Sequence, residues 1–271
     1  MPAAPSWREE AWDTLLKKIW DGRDPSVTSV IYNKEDLDPI LSKYTKSGQG
    51  EIRIFNSGSN GLAALKLRGV VKVPISRSSW RIMERPAAIE LQKPSESVIF
   101  KPKQKLTDGM KAGVVDSMSH RSSSPGETTL LAIANHIGIV ADFYNLKGKG
   151  VLFTGGRQKA GIHLILNNTS LDMTKAQIEI DGGFEWPETV VIAEMKSSFK
   201  QKDFDINQAL IPMLKWQNLL SAKKVYSLVM LAQTNEKGIE YWAYDFAHDG
   251  TSLGMKISRS KRYLVNLSSV A

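Results

Sequence analysis

Residues 189–195, TVVIAEM, are apolar at every position except Thr189 and Glu194. A strand apolar on both sides is of the buried type, inside a sheet whose two faces are covered. The same run makes Glu194 costly, because a carboxylate in such a strand loses its water. Lys196 lies two residues on and projects from the same face.

Upstream, QIEID (177–181) alternates, with Ile178 and Ile180 on one face and Gln177, Glu179 and Asp181 on the other. The pattern predicts a short strand ending at Asp181, a Gly182–Gly183 turn, and a return strand through TVVIAEMKS. Pairing as a hairpin brings Asp181 toward Glu194; a register slip of two puts Glu179 there instead. Two adjacent carboxylates repel unless a divalent cation lies between them, and such a cation polarises a phosphoryl oxygen and acidifies bound water. The Met195 carbonyl is a further candidate ligand. Lys196 is placed to orient or help deprotonate the attacking water and to stabilise charge on phosphorus.

The composition narrows the metal. The 271 residues include no cysteine, and the four histidines, His120, His136, His163 and His248, show no metal-ligand spacing. Carboxylates, carbonyls and water then remain as ligands, which favours magnesium, with manganese as a substitute. Charge narrows the substrate. The chain carries a net +8, and residues 43–125 hold 15 Lys and Arg against 6 Asp and Glu, so the excess is local. A localised basic segment is the footprint of nucleic-acid binding. No apolar run approaches the ~20 residues of a membrane span, and acidic and basic residues interrupt the N-terminal stretch where an export signal is apolar. The expected location is cytoplasmic.

Within the N-terminal region, SWREEAWDTLLKKIW (6–20) has helical spacing, with Ser6 a candidate N-cap. SVTSVIY reads as a strand, KEDLDPILSKYT as a short helix, and EIRIF (51–55) and GVVKVPISR (69–77) as further strands. Candidate DNA contacts are Arg53, Asn56, Ser57, Asn60, Arg68, Arg77, Arg81, Lys101 and Lys103, residue types that reach base edges or phosphates. Residues 93–125, rich in Lys, Gly and Ser, read as an arm or a linker, and SHRSSSP marks the expected boundary between a recognition region (1–124) and a catalytic core (125–271).

Past Pro125, ETTLLAIANHIGIV predicts a buried helix with Glu127 in its first turn, either complementing the helix dipole or adding an acidic group near the metal. TGGRQKAG (154–161) lacks the GxxxxGK[ST] pattern and precedes a strand, so it is no nucleotide-triphosphate loop; Arg157 and Lys159 remain candidate phosphate contacts. FDINQALIPMLKWQNLL predicts a helix that Pro212 should kink, after a loop holding Lys200 and Lys202. KKVYSLVMLAQ and GIEYWAYDF read as strands. The last 25 residues offer only a basic cluster, Lys256, Arg259, Lys261 and Arg262.

The spacing D-x12-E-x-K at Asp181, Glu194 and Lys196, with a buried helix before it and another after, resembles the PD-(D/E)XK nuclease superfamily, and within it the type II restriction endonucleases. Ile180 stands where the family name has proline. The resemblance spans about residues 125–235. It implies an α/β fold with a mixed central β-sheet flanked by helices (a restriction-endonuclease-like core), magnesium held by Asp181 and Glu194, Lys196 serving the water, and Gln208 behind the site. It also implies double-stranded DNA as substrate, Lys200 near its backbone, and a homodimer. Alternatives are a repair or junction-resolving nuclease of the same superfamily, or a DNA-binding protein without catalysis.

Overall fold

The computed structural model describes residues 7–43, 63–76, 78–84, 91–112, 125–166, 169–199, 206–235, 238–248 and 255–266. Helix α1 (Trp7–Leu16) continues into a π-helical turn, Lys17–Asp21. Strand β1 (Ser29–Asn33) runs straight into α2 (Lys34–Leu41), where the Asn33 N–H donates to Asp36 Oδ2 at 2.9 Å and satisfies a helix-terminal donor. After α3 (Ala63–Leu67) come β2 (Val70–Pro74) and β3 (Ser79–Glu84). The three strands form an antiparallel sheet in the order β1-β3-β2. One face buries Tyr32, Trp80 and Ile82 beneath Trp12, Leu15 and Leu37 of the helices.

The larger unit begins with β4 (Ser97–Ile99) and continues with α4 (Glu127–Ile137), α5 (Ile139–Phe143), β5 (Val151–Lys159), β6 (His163–Leu166), β7 (Thr169–Asp172), β8 (Gln177–Trp186), β9 (Thr189–Lys196), α6 (Ile206–Leu219), β10 (Lys224–Asn235), β11 (Gly238–His248) and β12 (Met255–Asn266). Seven of these strands form a mixed sheet in the order β4-β12-β11-β10-β9-β8-β5, and β6 and β7 pair separately. β9 and β10 are parallel and joined through α6, the βαβ connection that a parallel pair requires. β4 runs parallel to β12, and the other neighbours are antiparallel.

The apolar run of β9 is explained by its central place. Val191, Ala193 and Met195 pack with Leu130, Leu131 and Ile133 of α4, while Val190 and Ile192 pack with Leu210 and Ile211 of α6. α4 ends at Gly138, whose φ of 97° a side chain disfavours, and α5 departs from there. Among the described residues no helix is long and apolar enough to cross a membrane.

Three sequence expectations change. Gly182 and Gly183 do not form a turn; β8 runs through them to Trp186, and Pro187–Glu188 make the turn. They are glycine because neighbours fill the side-chain space: a Cβ on Gly182 would lie 2.8 Å from Leu131 Cδ2, and one on Gly183 would collide with Thr154. TGGRQKAG is largely strand β5, paired to β8. The C-terminal stretch is a 12-residue strand, β12, whose alternating Met255, Ile257, Tyr263 and Val265 carry the signal. Residues 97–99 also belong to the large sheet, where β4 pairs with β12. Ser6, the EIRIF strand, and Arg53, Asn56, Ser57, Asn60, Arg77 and Lys200 lie outside the described residues, as does Lys202.

A candidate active site where two strands part

Strand β8 changes face in its middle. Its pairing with β5 passes from Gly156↔Ile180 to Thr154↔Gly183, so Asp181 and Gly182 together oppose the single residue Gly155. This is a β-bulge, a device that re-aims side chains and ends pairing. Before it, Ile178 and Ile180 point to the α6 side; beyond it, Phe184 and Trp186 point to the α4 side. The β8–β9 ladder stops at Gly182↔Ala193, one step short of Asp181 and Glu194.

The Asp181 side chain takes over where the ladder stops. Its Oδ2 accepts the Met195 backbone N–H at 2.8 Å. Glu194 is 3% exposed, and its Oε1 accepts from Lys196 Nζ at 2.6 Å and from Gln208 Nε2 of α6. Glu127, in the first turn of α4, places Oε2 3.7 Å from Lys196 Nζ, and its Oε1 accepts the Ser197 N–H at 3.4 Å. Five sequence candidates, Glu127, Asp181, Glu194, Lys196 and Gln208, are thus gathered from two strands and two helices. Glu179, the alternative to Asp181, instead faces Arg157 of β5 at 3.7 Å.

Burial, and after it the Asp181 charge, pushes the Glu194 carboxyl up to about 8, against the opposing pull of Lys196. Burial also raises Glu127. For Lys196 burial acts downward, but the carboxylates of Glu194, Glu127 and Asp181 outweigh it and the ammonium is held above its usual range. The lysine therefore keeps its charge at neutral pH, while burial opposes ionisation of the Glu194 carboxyl. Gln208 Oε1 is buried without a partner beside it. Among the described residues no three His, Asp or Glu side chains form a ready-made metal cage.

Sequence reasoning missed the contact that anchors the chain as it leaves the site. Phe199 stacks on Trp242 of β11 with centroids 4.1 Å apart and planes 6° apart. No local pattern links residues 43 positions apart on different elements.

The described DNA-contact candidates are dispersed. Arg68 is clamped by Asp13 at 2.9 Å and by both oxygens of Asp21 at 2.7 Å, tying α3 to α1 and the π turn. Lys101 and Lys103 are exposed, but the Lys103 N–H bonds to Ile137 O at the far end of α4, about 15 Å along that helix from Glu127. Arg81 projects from β3. Lys159 is exposed at the end of β5. In the C-terminal cluster, Arg259 donates to Phe143 O at 2.7 Å, Arg262 to Glu240 at 2.6 Å, and Lys261 to Asp142 at 3.3 Å.

No curated protein and no solved structure significantly matches the chain. A family model described as a domain of unknown function, DUF6997, matches residues 101–264, a range that contains all five residues of the site. Because that match covers more than half of the 271 residues, the chain belongs to the DUF6997 family.

Proposed function

We propose that the protein is a magnesium-dependent endonuclease that hydrolyses phosphodiester bonds in double-stranded DNA, of the restriction type, with a PD-(D/E)XK catalytic centre. The observation that carries this reading is the convergence of Asp181, Glu194 and Lys196 where β8 and β9 separate, with Lys196 between Glu194 and Glu127. A mixed sheet with a helix on each side of β9 is consistent with a restriction-endonuclease-like core.

The donor set fits a hard divalent cation. Asp181 and Glu194 would hold it, with the Met195 carbonyl as a third donor and water completing the shell, as suits an ion that keeps part of its hydration. The raised Glu194 carboxyl is the matching electrostatic signature, since a nearby dication stabilises the ionised form that burial disfavours. When bound, such an ion acidifies water and draws charge from a phosphoryl oxygen.

The protein groups do the positioning. Asp181 is fixed by the Met195 N–H, and Glu194 by Lys196 and Gln208, so both carboxylates are pre-oriented. The charged Lys196 orients the attacking water and offsets negative charge as the new P–O bond forms and the bond to the leaving sugar oxygen breaks. Manganese in place of magnesium, a homodimer able to cut both strands, and a cytoplasmic location belong to the same proposal.

Plasmid DNA incubated with the protein and magnesium tests it. Discrete, reproducible fragments are expected; nicking or structure-selective cutting transfers the assignment to a repair or junction-resolving nuclease, and salt-sensitive binding without cutting in any divalent metal overturns catalysis.

A further inference from the structure

The small sheet presents a second face, opposite the one covered by α1 and α2. The register puts Ser29, Ile31 and Asn33 of β1, Ser79, Arg81 and Met83 of β3, and Val71 and Val73 of β2 on it. Val71, Val73 and Met83 are buried in the core shared with the large sheet. The β1 half is open: Ile31, directly opposite Arg81, is 50% exposed. No acidic side chain lies among these eight residues.

Arg81 differs from every other arginine whose side chain is described. Arg68, Arg157 and Arg262 face carboxylates, Arg259 a backbone carbonyl, and Arg23 carbonyls and Glu84. Among the described residues Arg81 has one acceptor, the neutral Ser29 Oγ at 3.2 Å from Nη1, and its buried Nε has none. Beside it, Ser79 Oγ donates to Asn33 Oδ1 at 2.6 Å. A half-buried guanidinium without a counter-charge is an unfavourable arrangement that an anion relieves. Hydroxyl, amide and guanidinium groups together are the usual partners of a nucleic-acid backbone.

We infer that the open half of this face, centred on Arg81 with Ser29, Asn33 and Ser79, holds the phosphate backbone of double-stranded DNA; the choice of ligand rests on the nuclease reading above. Charge complementarity carries the assignment: among the described residues Arg81 faces no carboxylate and the eight strand residues of this face include none, in a chain of net charge +8. The contact is with the backbone, so it contributes affinity without sequence preference.

The test is fluorescence anisotropy of a labelled 30-base-pair duplex with the full chain in EDTA, where binding is read without cleavage, over a range of salt concentrations. Arg81→Ala and the similarly shaped neutral Arg81→Gln are expected to weaken binding roughly tenfold and to reduce the salt slope by about one, while Arg81→Lys keeps the slope. Thermal melting identifies which variants fold, and Arg81→Gln replaces Arg81→Ala if the latter does not. Folded Arg81→Gln with wild-type affinity and slope overturns the inference alone. A wild-type protein that binds no duplex overturns it together with the nuclease reading. Weakened binding by Arg81→Gln in a protein that never cleaves DNA with magnesium sustains the inference and removes the nuclease reading.

Discussion

Asp181 Oδ2 accepts the backbone N–H of Met195 at 2.8 Å, at the point where the β8–β9 ladder has stopped. A side chain thus does the work of a strand. Asp181 is fixed beside Glu194 while the two backbones are free to diverge and leave room between them.

Asp181→Ala removes both a proposed metal ligand and the acceptor of that N–H. Cleavage is expected to fall below detection. An unsatisfied buried amide costs about 1–3 kcal/mol, so the melting temperature should fall as well. Plasmid cleavage and a melting curve on the same preparation check both, and full activity sinks the site assignment.

Lys196→Ala is expected to abolish magnesium-dependent cleavage, a loss of at least about 100-fold, while duplex affinity stays close to wild type. It leaves Glu194, Glu127 and Asp181 without their shared cation, so metal-free stability should drop most at alkaline pH. Cleavage assays and anisotropy separate catalysis from binding.

The Glu194 carboxyl, ordinarily at 4.5, stands at about 8 in the folded chain, so folding takes up a proton between those values. The stability that this uptake contributes is fully present below pH 4.5 and is lost as pH rises through 8. In EDTA the wild type should lose on the order of 5 kcal/mol across that window from this group. Glu194→Gln, uncharged throughout, should flatten that part of the profile and abolish cleavage. Urea unfolding between pH 5 and 9 gives the comparison, and parallel profiles count against the buried-acid assignment.

Arg68→Ala separates architecture from recognition. Its guanidinium joins Asp13 and Asp21, so its removal should destabilise the N-terminal helices by about 1–3 kcal/mol and leave duplex binding intact. Melting and anisotropy decide; a loss of DNA affinity in a folded variant returns Arg68 to the recognition surface.

Gly182→Ala tests the bulge. Its Cβ would press on Leu131 at 2.8 Å, and overpacking of this kind costs about 1–3 kcal/mol. A lowered melting point is expected, along with reduced cleavage as Asp181 is displaced. An unchanged melting point shows that the α4 contact can yield.

Much of the frame was legible from local patterns. The doubly apolar TVVIAEM placed β9 inside a covered sheet, ETTLLAIANHI gave its helix, and D-x12-E-x-K singled out Asp181, Glu194 and Lys196. The misreadings share a cause. Gly182–Gly183 and Gly155–Gly156 have the composition of turns, yet all four lie in strands: Leu131 and Thr154 fill the space a side chain would need at Gly182 and Gly183, and Gly156 has a φ of 74° that favours glycine. Glycine in a strand and glycine in a turn look alike until the neighbouring element is in place.

By itself the sequence determined residue chemistry and periodicity: no thiolates, a carboxylate and a lysine on one face of a buried strand, and a local excess of basic charge. Both periodicity and composition follow from neighbours along the chain. Only the tertiary structure decided that Asp181 rather than Glu179 meets Glu194, that Glu127 and Gln208 come in from separate helices, and which arginines are neutralised. Those outcomes depend on strand register, on one bulge, and on groups dozens of residues apart, where the balance of burial and pairing is set by the fold.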